Sequence, residues 1–330
     1  MRSIVWSLIM LAIIAPAFAG VIGSTDDPMT IGGGARPIGM GRAFTAVADD
    51  ADAPFLNAAG IAGLKGPQAM AMFTNLLDEI YYREYCGAVP TPYGTLGFGY
   101  ISTGVNAIPT SIVTGEIINT DYYDSLFLVS YSTPLARWLD YGNNVFVGSN
   151  FKVFSRGYSG GVNQYASGYS MDFGLKVIVS PNLSLGVSSI NFLPVSLGGV
   201  VKLSSGAEES LAGMTKLGVA IRPVQYNRKL LIAIDTDLPA QSGRPVTSHV
   251  GVEYKLMEAL ALRAGADQTI NPGTASQTSW SPAFGVSLGY GGLRVDYAYH
   301  PYYNDPGLAS TYLSLSYIGE PWFALKGRVE

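Results

Sequence analysis

The chain has 330 residues and a net charge of -4, with 13% charged residues and 40 glycines. Soluble globular proteins average about 25% charged residues and about 7% glycine, so this composition argues against an ordinary soluble surface. The charge balance excludes a nucleic-acid binder with a basic patch, and the 48% of hydrophobic residues excludes a disordered chain. Cys86 is the only cysteine, which excludes an intrachain disulfide and a cysteine metal site.

The first residues are typical of a secretory signal peptide. Arg2 precedes an apolar run, and the small residues at 17–19 form an A-x-A site that predicts cleavage before Gly20. The sequence after Gly20 has no apolar stretch of about 18 residues, the length that a membrane-spanning helix needs. We therefore expect residues 1–19 to be removed, and the exported chain either to be soluble or to cross a membrane as a closed β-barrel.

Residues 20–66 have no strand-like pattern. The glycines within 34–41 do not indicate a dinucleotide-binding loop, because no strand precedes them and no βαβ pattern follows. The small residues at 43–48 predict a short helix, and residues 54–62 predict a second short helix or a turn. We expect a small helical segment in front of a β-rich region.

Apolar and polar residues alternate from residue 67 to residue 318. Leu293, Val295 and Tyr297, for example, fall on one face, and the residues between them fall on the other. A period of two indicates strands with one apolar face, and a length of about 9–11 residues suits tilted strands that cross a bilayer. About fourteen strands are predicted, at 68–77, 82–90, 95–103, 121–132, 144–156, 168–179, 183–191, 214–222, 229–237, 247–256, 259–268, 282–290, 293–300 and 310–318.

The connections between these segments alternate in length. Tight turns are expected at 91–94, 181–182, 257–258 and 291–292, whereas longer loops are expected at 104–120, 157–167, 192–213 and 269–281. Short turns at one end and long loops at the other are typical of an outer-membrane β-barrel. An even number of strands places both termini at the short-turn, periplasmic end. The connection at 133–143 is longer than this scheme requires.

The two faces of the strands differ in charge. The Leu, Val and Tyr face carries almost no ionisable side chains, whereas the other face carries acidic and basic residues. An Arg or Lys that faces lipid at mid-bilayer costs about 2–4 kcal/mol, so we expect the charged face to line the lumen and to form salt bridges there. The expected lumenal residues are Lys152, Asp172, Lys176, Lys216, Arg222, Asp235, Asp237, Glu253, Lys255, Arg263, Asp267, Arg294, Asp296 and His300.

We expect no enzymatic activity, cofactor or metal site. The chain has two histidines and no G-x-S-x-G motif. His300 and Asp296 share the lumenal face of one predicted strand and could in principle activate a serine, but no other catalytic pattern accompanies them. No metal cluster or phosphate-binding loop is present in the sequence.

Residues 34–50 read GARPIGMGRAFTAVADD, and residues 57–60 read NAAG. This segment resembles the N-terminal signature of FadL-type outer-membrane proteins, and more closely that of their PorV/PorQ-like branch. The family pattern is G-A-R-x-x-G-M-G-x-A-[FY]-x-A-x-A-[DN]-D followed by N-P-A-G, with Ala58 here in place of the proline. The residues assigned to this plug motif are Gly34, Arg36, Gly39, Gly41, Arg42, Phe44, Asp49, Asp50, Asn57 and Gly60.

The resemblance implies an all-β fold, a transmembrane antiparallel barrel of about fourteen strands at 67–318 with residues 20–66 as a plug in its lumen. It implies location in the bacterial outer membrane and passive transport of small hydrophobic compounds. In FadL-type proteins the third strand is kinked, so Gly97 and Gly99 are candidates for a lateral opening. The PorV/PorQ-like branch implies instead a barrel that binds secreted proteins in type IX secretion or surface attachment.

Two further expectations concern the plug and the C-terminus. Arg42 and the acidic residues 49, 50 and 52 are expected to pair with lumenal charges such as Lys216, Arg263 and Arg294. Residues 319–330 are expected to form a short periplasmic tail after a last strand that ends near Tyr317. A last strand that reaches residues 322–323 is the competing interpretation.

Overall fold

The structure is a computed structural model. It describes residues 24–25, 28–76, 79–111, 117–138, 144–271, 276–301 and 310–321. The predicted signal peptide and most of the predicted tail lie outside the described residues. Within the described residues, fourteen strands form the barrel: β1 (Gln68–Leu76), β2 (Ile80–Thr91), β3 (Gly94–Ser111), β4 (Ile117–Pro134), β5 (Val145–Gly160), β6 (Gln164–Ser180), β7 (Leu183–Ile190), β8 (Met214–Ile221), β9 (Leu230–Pro239), β10 (Thr247–Met257), β11 (Leu260–Ile270), β12 (Thr278–Tyr290), β13 (Leu293–His300) and β14 (Ser310–Ile318).

The sheet closes on itself. Each barrel strand pairs antiparallel with the next one, and β14 pairs with β1 in a register that runs from Leu313 opposite Phe73 to Ile318 opposite Gln68. Closure satisfies the backbone hydrogen bonds of every strand, which a bilayer requires because it offers no water in its core. The prediction of a fourteen-strand antiparallel barrel is confirmed, and Ser310–Ile318 is its last strand.

The expected loop at 104–120 is mostly strand. β3 runs to Ser111 and β4 begins at Ile117, and the two remain paired beyond a bulge between Val105 and Ile108. At the bulge, Ala107 has a φ of 57° and its N–H donates to Asp121 Oδ1 at 2.8 Å. A bulge shifts the alternation of side chains, so the sequence pattern stops although the pairing continues.

The connection between β7 and β8 carries a hairpin of its own. Its strands Val200–Leu203 and Glu208–Leu211 pair with each other, and the first continues the wall beside Ala166–Gly168 of β6. Ser24–Thr25 pairs in parallel with the second. This hairpin therefore extends the wall at the long-loop end, where β7 is only 8 residues long.

The N-terminal segment lies inside the barrel. It consists of a short helix, α1 (Ala35–Gly39), and 3₁₀ turns at Pro28–Ile31, Ala53–Phe55 and Ala58–Gly63. α1 contacts β11 to β14, and the last 3₁₀ turn contacts β3 to β6. We call residues 28–66 the plug. No helix in the described residues is long and apolar enough to cross a membrane.

The helix predicted at 43–48 is wrong, because these residues form turns whose backbone groups bind the wall. The N–H groups of Phe44 and Thr45 donate to Asp235 Oδ2 at 2.8 and 2.7 Å. The Lys176 ammonium donates to the carbonyl oxygens of Val47 and Ala48 at 2.5 and 2.8 Å. The wall thus places a carboxylate at the amino end of the turn and a cation at its carboxyl end, which matches the direction of the peptide dipoles.

Candidate functional site: the lumen and its plug

Glycines on the inner face of the wall allow the plug backbone to lie directly against it. A Cβ built at Gly285 of β12 would lie 3.2 Å from the Gly39 Cα, and one built at Gly251 of β10 would overlap the Met40 carbonyl oxygen. On the far side of the barrel, a Cβ at Gly148 of β5 would lie 2.5 Å from the Ala58 carbonyl carbon. The high glycine content therefore serves close packing between plug and wall.

Arg36 of α1 is the centre of an ion-pair cluster. Its guanidinium donates to Glu253 of β10 at 2.9 and 3.2 Å, to Asp50 at 2.8 Å and to Asp49 at 2.5 Å. It also lies 5.0 Å from the centroid of the Phe44 ring. Burial lowers the pKa of Arg36, but the surrounding carboxylates raise it well above its ordinary value. The cluster holds α1 against β10 through a fully charged guanidinium.

Arg42 ties the next part of the plug to the wall. Its Nε lies 2.8 Å from Asp267 Oδ2, and the Asp267 side chain is completely buried. Asp267 also contacts both histidines of the chain, with His249 Nδ1 at 2.7 Å and His300 Nε2 at 3.2 Å. His300 lies opposite Ser310 of β14 in the wall, and its contact with Asp267 makes it part of the plug attachment.

The acidic end of the motif meets the wall cations only in part as expected. Asp50 Oδ2 lies 3.0 Å from Arg294 Nη2, and Asp49 Oδ2 lies 3.7 Å from Arg222 Nη2. Lys216 and Arg263 pair with wall carboxylates instead: Lys216 with Asp237 at 2.5 Å, and Arg263 with Glu253 at 2.7 Å and Asp296 at 3.1 Å. These wall pairs satisfy the cations within the wall, on the next strand for Asp237 and Glu253 and two strands away for Asp296.

Asp52 lies beside Asp50 and Glu84 in a buried acidic pocket. Burial and the neighbouring Asp50 carboxylate raise the pKa of Asp52 well above its ordinary value, and Glu84 adds to this effect. Burial also raises the pKa of Asp50, but Arg36 and Arg294 hold it well below its ordinary value. Asp52 therefore keeps its proton to a higher pH than Asp50 does, because its pKa is raised while that of Asp50 is lowered.

Asn57 and Gly60 position the second half of the plug. Asn57 caps the turn Ala58–Gly63 by accepting from the Ala59 N–H at 3.1 Å, and its amide donates to the carbonyl oxygens of Thr45 and Leu175. A Cβ at Gly60 would lie 2.5 Å from the Ala48 carbonyl oxygen. At Gly34, φ is 65° and the N–H donates to Glu84 Oε2 at 3.1 Å. These contacts depend on the amide of Asn57 and on the absence of a side chain at Gly60 and Gly34.

The lateral opening expected at Gly97 and Gly99 is not formed in this structure. β3 pairs with β2 and with β4 through both residues. A Cβ at Gly97 would lie 2.9 Å from Ile61 Cδ1, and one at Gly99 would lie 2.5 Å from Phe55 Cζ. In the described conformation, both glycines make room for apolar plug side chains.

The lumen has an apolar half that the sequence pattern does not predict. Several inward-facing side chains of β1 to β5 are buried and apolar and belong to one cluster with Phe55 of the plug, beside the buried polar side chains of Glu84 and Lys152. The available signal was the run at 126–129, Leu-Phe-Leu-Val, which is apolar on both faces of β4. The other half, on β8 to β13, carries most of the lumenal charges. The apolar lumenal residues are Met70, Met72, Ile101, Leu126, Leu128 and Phe154.

Two cavities lie on opposite sides of the plug. The cavity toward the long loops, here called the outer cavity, has a volume of about 260 Å³. Its lining is mixed: the apolar residues include Leu56, Ile190 and Met214, and the charged or polar residues include Arg42, Lys216, Asp237, Arg244, His249 and Gln268. The cavity toward the short turns, the inner cavity, has a volume of about 520 Å³ and is rich in charged groups. The charged lining of the inner cavity is formed by Arg36, Glu253, Lys255, Glu258, Arg263 and Arg294.

Solved structures with this architecture were found by comparison. The Pseudomonas putida toluene transporter TodX is 13% identical, with a TM-score of 0.58 over 90% of this chain and 99% of its own. The CymD monoaromatic hydrocarbon channel is 12% identical, with a TM-score of 0.59 over 88% of this chain and 98% of its own. A Pseudomonas aeruginosa FadL homologue is 12% identical, with a TM-score of 0.53 over 91% and 99%.

The fold is that of the FadL-type outer-membrane barrels. At this level of identity the likeness concerns the fold. No protein-family model matches the sequence, and no curated protein matches it. The named structures are transporters and channels rather than enzymes. They give no support to the PorV/PorQ-like branch, which stays a prediction.

Proposed function

We propose that this chain is an outer-membrane channel that passively conducts small hydrophobic compounds into the periplasm. The observation that carries the proposal is the outer cavity, which is large enough for a compound of about one aromatic ring and has an apolar side on a plugged barrel. The titles of the similar structures name toluene and monoaromatic hydrocarbons for those proteins, which supports the same size class here.

The polar residues of the outer cavity narrow the class of compound that it would bind. Lys216, His249 and Gln268 line the cavity together with the apolar residues. A binding site of this kind orients a ligand through a few polar groups while apolar groups supply most of the contact area. A small apolar compound that carries one hydrogen-bonding group would therefore use both kinds of residue.

Uptake of a fluorescent apolar probe tests the proposal. Cells that express the protein in an outer membrane without general porins should accumulate phenylnaphthylamine faster than cells without it. Met214→Gln replaces an apolar cavity residue by a polar one of similar length, and we expect it to slow accumulation. Leu197→Gln, at a loop residue that is 63% exposed, is the control. Equal rates with and without the protein, once its presence in the outer membrane has been verified, would rule the function out.

Detergent gels test the location. A closed barrel keeps its hydrogen bonds in detergent at room temperature and unfolds on boiling, so the unboiled protein should migrate differently from the boiled one and should fractionate with the outer membrane. Identical migration, together with solubility without detergent, would contradict a membrane location.

A further inference from the structure

The two cavities share one wall of the barrel. Thr247 and His249 of β10 line the outer cavity, and Glu253 of the same strand lines the inner one. On β11, Gln268 lines the outer cavity and Arg263 the inner one. The cavities therefore lie one above the other along the inner face of β10 and β11, rather than on different sides of the lumen.

Only a short segment of the plug separates the two cavities. On β10, Gly251 is the one inward-facing residue between His249 and Glu253, which are about 13 Å apart along an extended strand. The plug segment 39–41 fills this interval. A Cβ at Gly41 would lie 2.7 Å from the Ala266 nitrogen, and a Cβ at Gly265 would overlap the Gly41 nitrogen.

This contact differs from the rest of the plug in its chemistry. Gly39 and Gly41 present backbone only, and Met40, which is fully buried, is the single side chain between them. The segment contributes no charged group of its own. Methionine is unbranched and adapts to several packings, so the segment can leave the wall without breaking an ion pair.

The ion pairs lie immediately on either side. Arg36 holds α1 to Glu253 at 2.9 Å, and Arg42 holds the chain to Asp267 at 2.8 Å. Both anchors are on the same two strands as the glycines. Movement of residues 39–41 between two fixed anchors would therefore connect the cavities without expelling the plug.

We propose that solutes cross the barrel along the inner face of β10 to β12, from the outer to the inner cavity, and that residues 39–41 are the gate. This inference rests on the proposed function as a channel and names its path. The glycines Gly251, Gly265 and Gly285 form the wall side of the gate, and Gly39 and Gly41 form the plug side.

Two alanine substitutions on opposite walls test the path. Gly265→Ala adds a methyl group against the gate segment, and Gly148→Ala adds one against Ala58, on the far side of the barrel. Neither glycine has a positive φ, so each variant changes contact with the plug rather than backbone strain. The purified proteins are compared as single channels in planar bilayers with potassium chloride on both sides.

We expect Gly265→Ala to raise the open fraction about tenfold, the shift that one overpacked methyl group gives, and Gly148→Ala to behave as the unchanged protein. Equal conductance of the two variants would overturn the proposal: if both are low, the gate lies elsewhere, and if both are high, any loosening of the plug opens the barrel.

A second pair of substitutions keeps the gate testable if Gly265→Ala does not fold. Met40→Ala removes the one gate side chain, and Met72→Ala removes an equally buried methionine from β1. Only Met40→Ala should raise the conductance. A rise with Met72→Ala, or none with Met40→Ala, contradicts the gate.

Thiol labelling separates this proposal from the proposed function. Lys255→Cys places a thiol in the inner cavity, in a Cys86→Ala background, and an impermeant thiol reagent is added from the long-loop side. Gly265→Ala should speed labelling about tenfold over Gly148→Ala. Equal labelling with intact phenylnaphthylamine uptake refutes the path alone. Faster labelling without phenylnaphthylamine uptake by the unchanged protein refutes the hydrophobic substrate and keeps the path.

Discussion

Replacing Arg36 by methionine should loosen the plug without disturbing the barrel. Methionine keeps much of the length of the side chain but removes its charge from a site where the Arg36 side chain is 8% exposed. The removal of one partner of a buried ion pair costs about 3–5 kcal/mol. Glu253 keeps Arg263 at 2.7 Å, and Asp50 keeps Arg294 at 3.0 Å, so we expect the lower end of that range, about 3 kcal/mol.

A loss of about 3 kcal/mol raises the undocked fraction of the plug by about two orders of magnitude. Hydrogen exchange of backbone amides, read by mass spectrometry in detergent, measures this fraction. Peptides from α1 should exchange about a hundredfold faster in Arg36→Met, while peptides from β1 to β14 should be unchanged. Arg83→Met is the control, because Arg83 is an exposed residue beside the Tyr81 ring. Unchanged exchange in α1 would refute the assignment of Arg36 as the main attachment.

Three further predictions follow from the lumen and the wall. Asp267→Asn removes the charge that Arg42, His249 and His300 share, and it should weaken plug docking by about 2 kcal/mol, below the usual cost of breaking a buried pair because Arg42 is partly exposed. Asp124→Asn, whose partner Arg156 belongs to the wall, should leave plug exchange unchanged, and equal effects of the two substitutions would contradict the role of Asp267 in plug attachment. The raised pKa of Asp52 means that its stabilising contribution is complete below about pH 4 and is lost as the pH rises through the raised pKa. The protection of plug amides, corrected for the intrinsic rise of exchange rates with pH, should therefore fall toward alkaline pH, and it should fall less in Asp52→Asn, in which Glu84 remains. A protection profile that the substitution does not change would count against this assignment. Val252→Arg should impair assembly by about 2–4 kcal/mol, whereas Leu256→Arg, on the same face at the short-turn end, should cost about 0–1 kcal/mol. The fraction of protein that is heat-modifiable on a detergent gel measures assembly. Similar fractions for the two variants would show that the outward face is misassigned.

The alternation of apolar and polar residues was enough to predict the barrel. Because side chains in a strand point alternately to opposite faces, thirteen of the fourteen strands could be located to within a few residues of their ends from local pattern. The fourteenth, β3, was recognised but shortened at its bulged end. The restriction of charged residues to one face of each strand also determined which face meets lipid, since a charge that faces lipid is costly. The motif at 34–50 directed attention to Arg36, Arg42 and Asp50 before any contact was known.

Contacts between distant parts of the chain were decided only by the tertiary structure. Nothing local indicates that Arg42 meets Asp267, or that Lys216 and Arg263 are satisfied within the wall. The turns at 43–48 could not be predicted, because the groups that replace helical hydrogen bonds there, Asp235 and Lys176, lie on other strands. The same holds for the glycines: their spacing marks the inner face, but only the folded barrel brings Gly251 and Gly265 against the plug, because a close approach of two backbones is a property of both segments together.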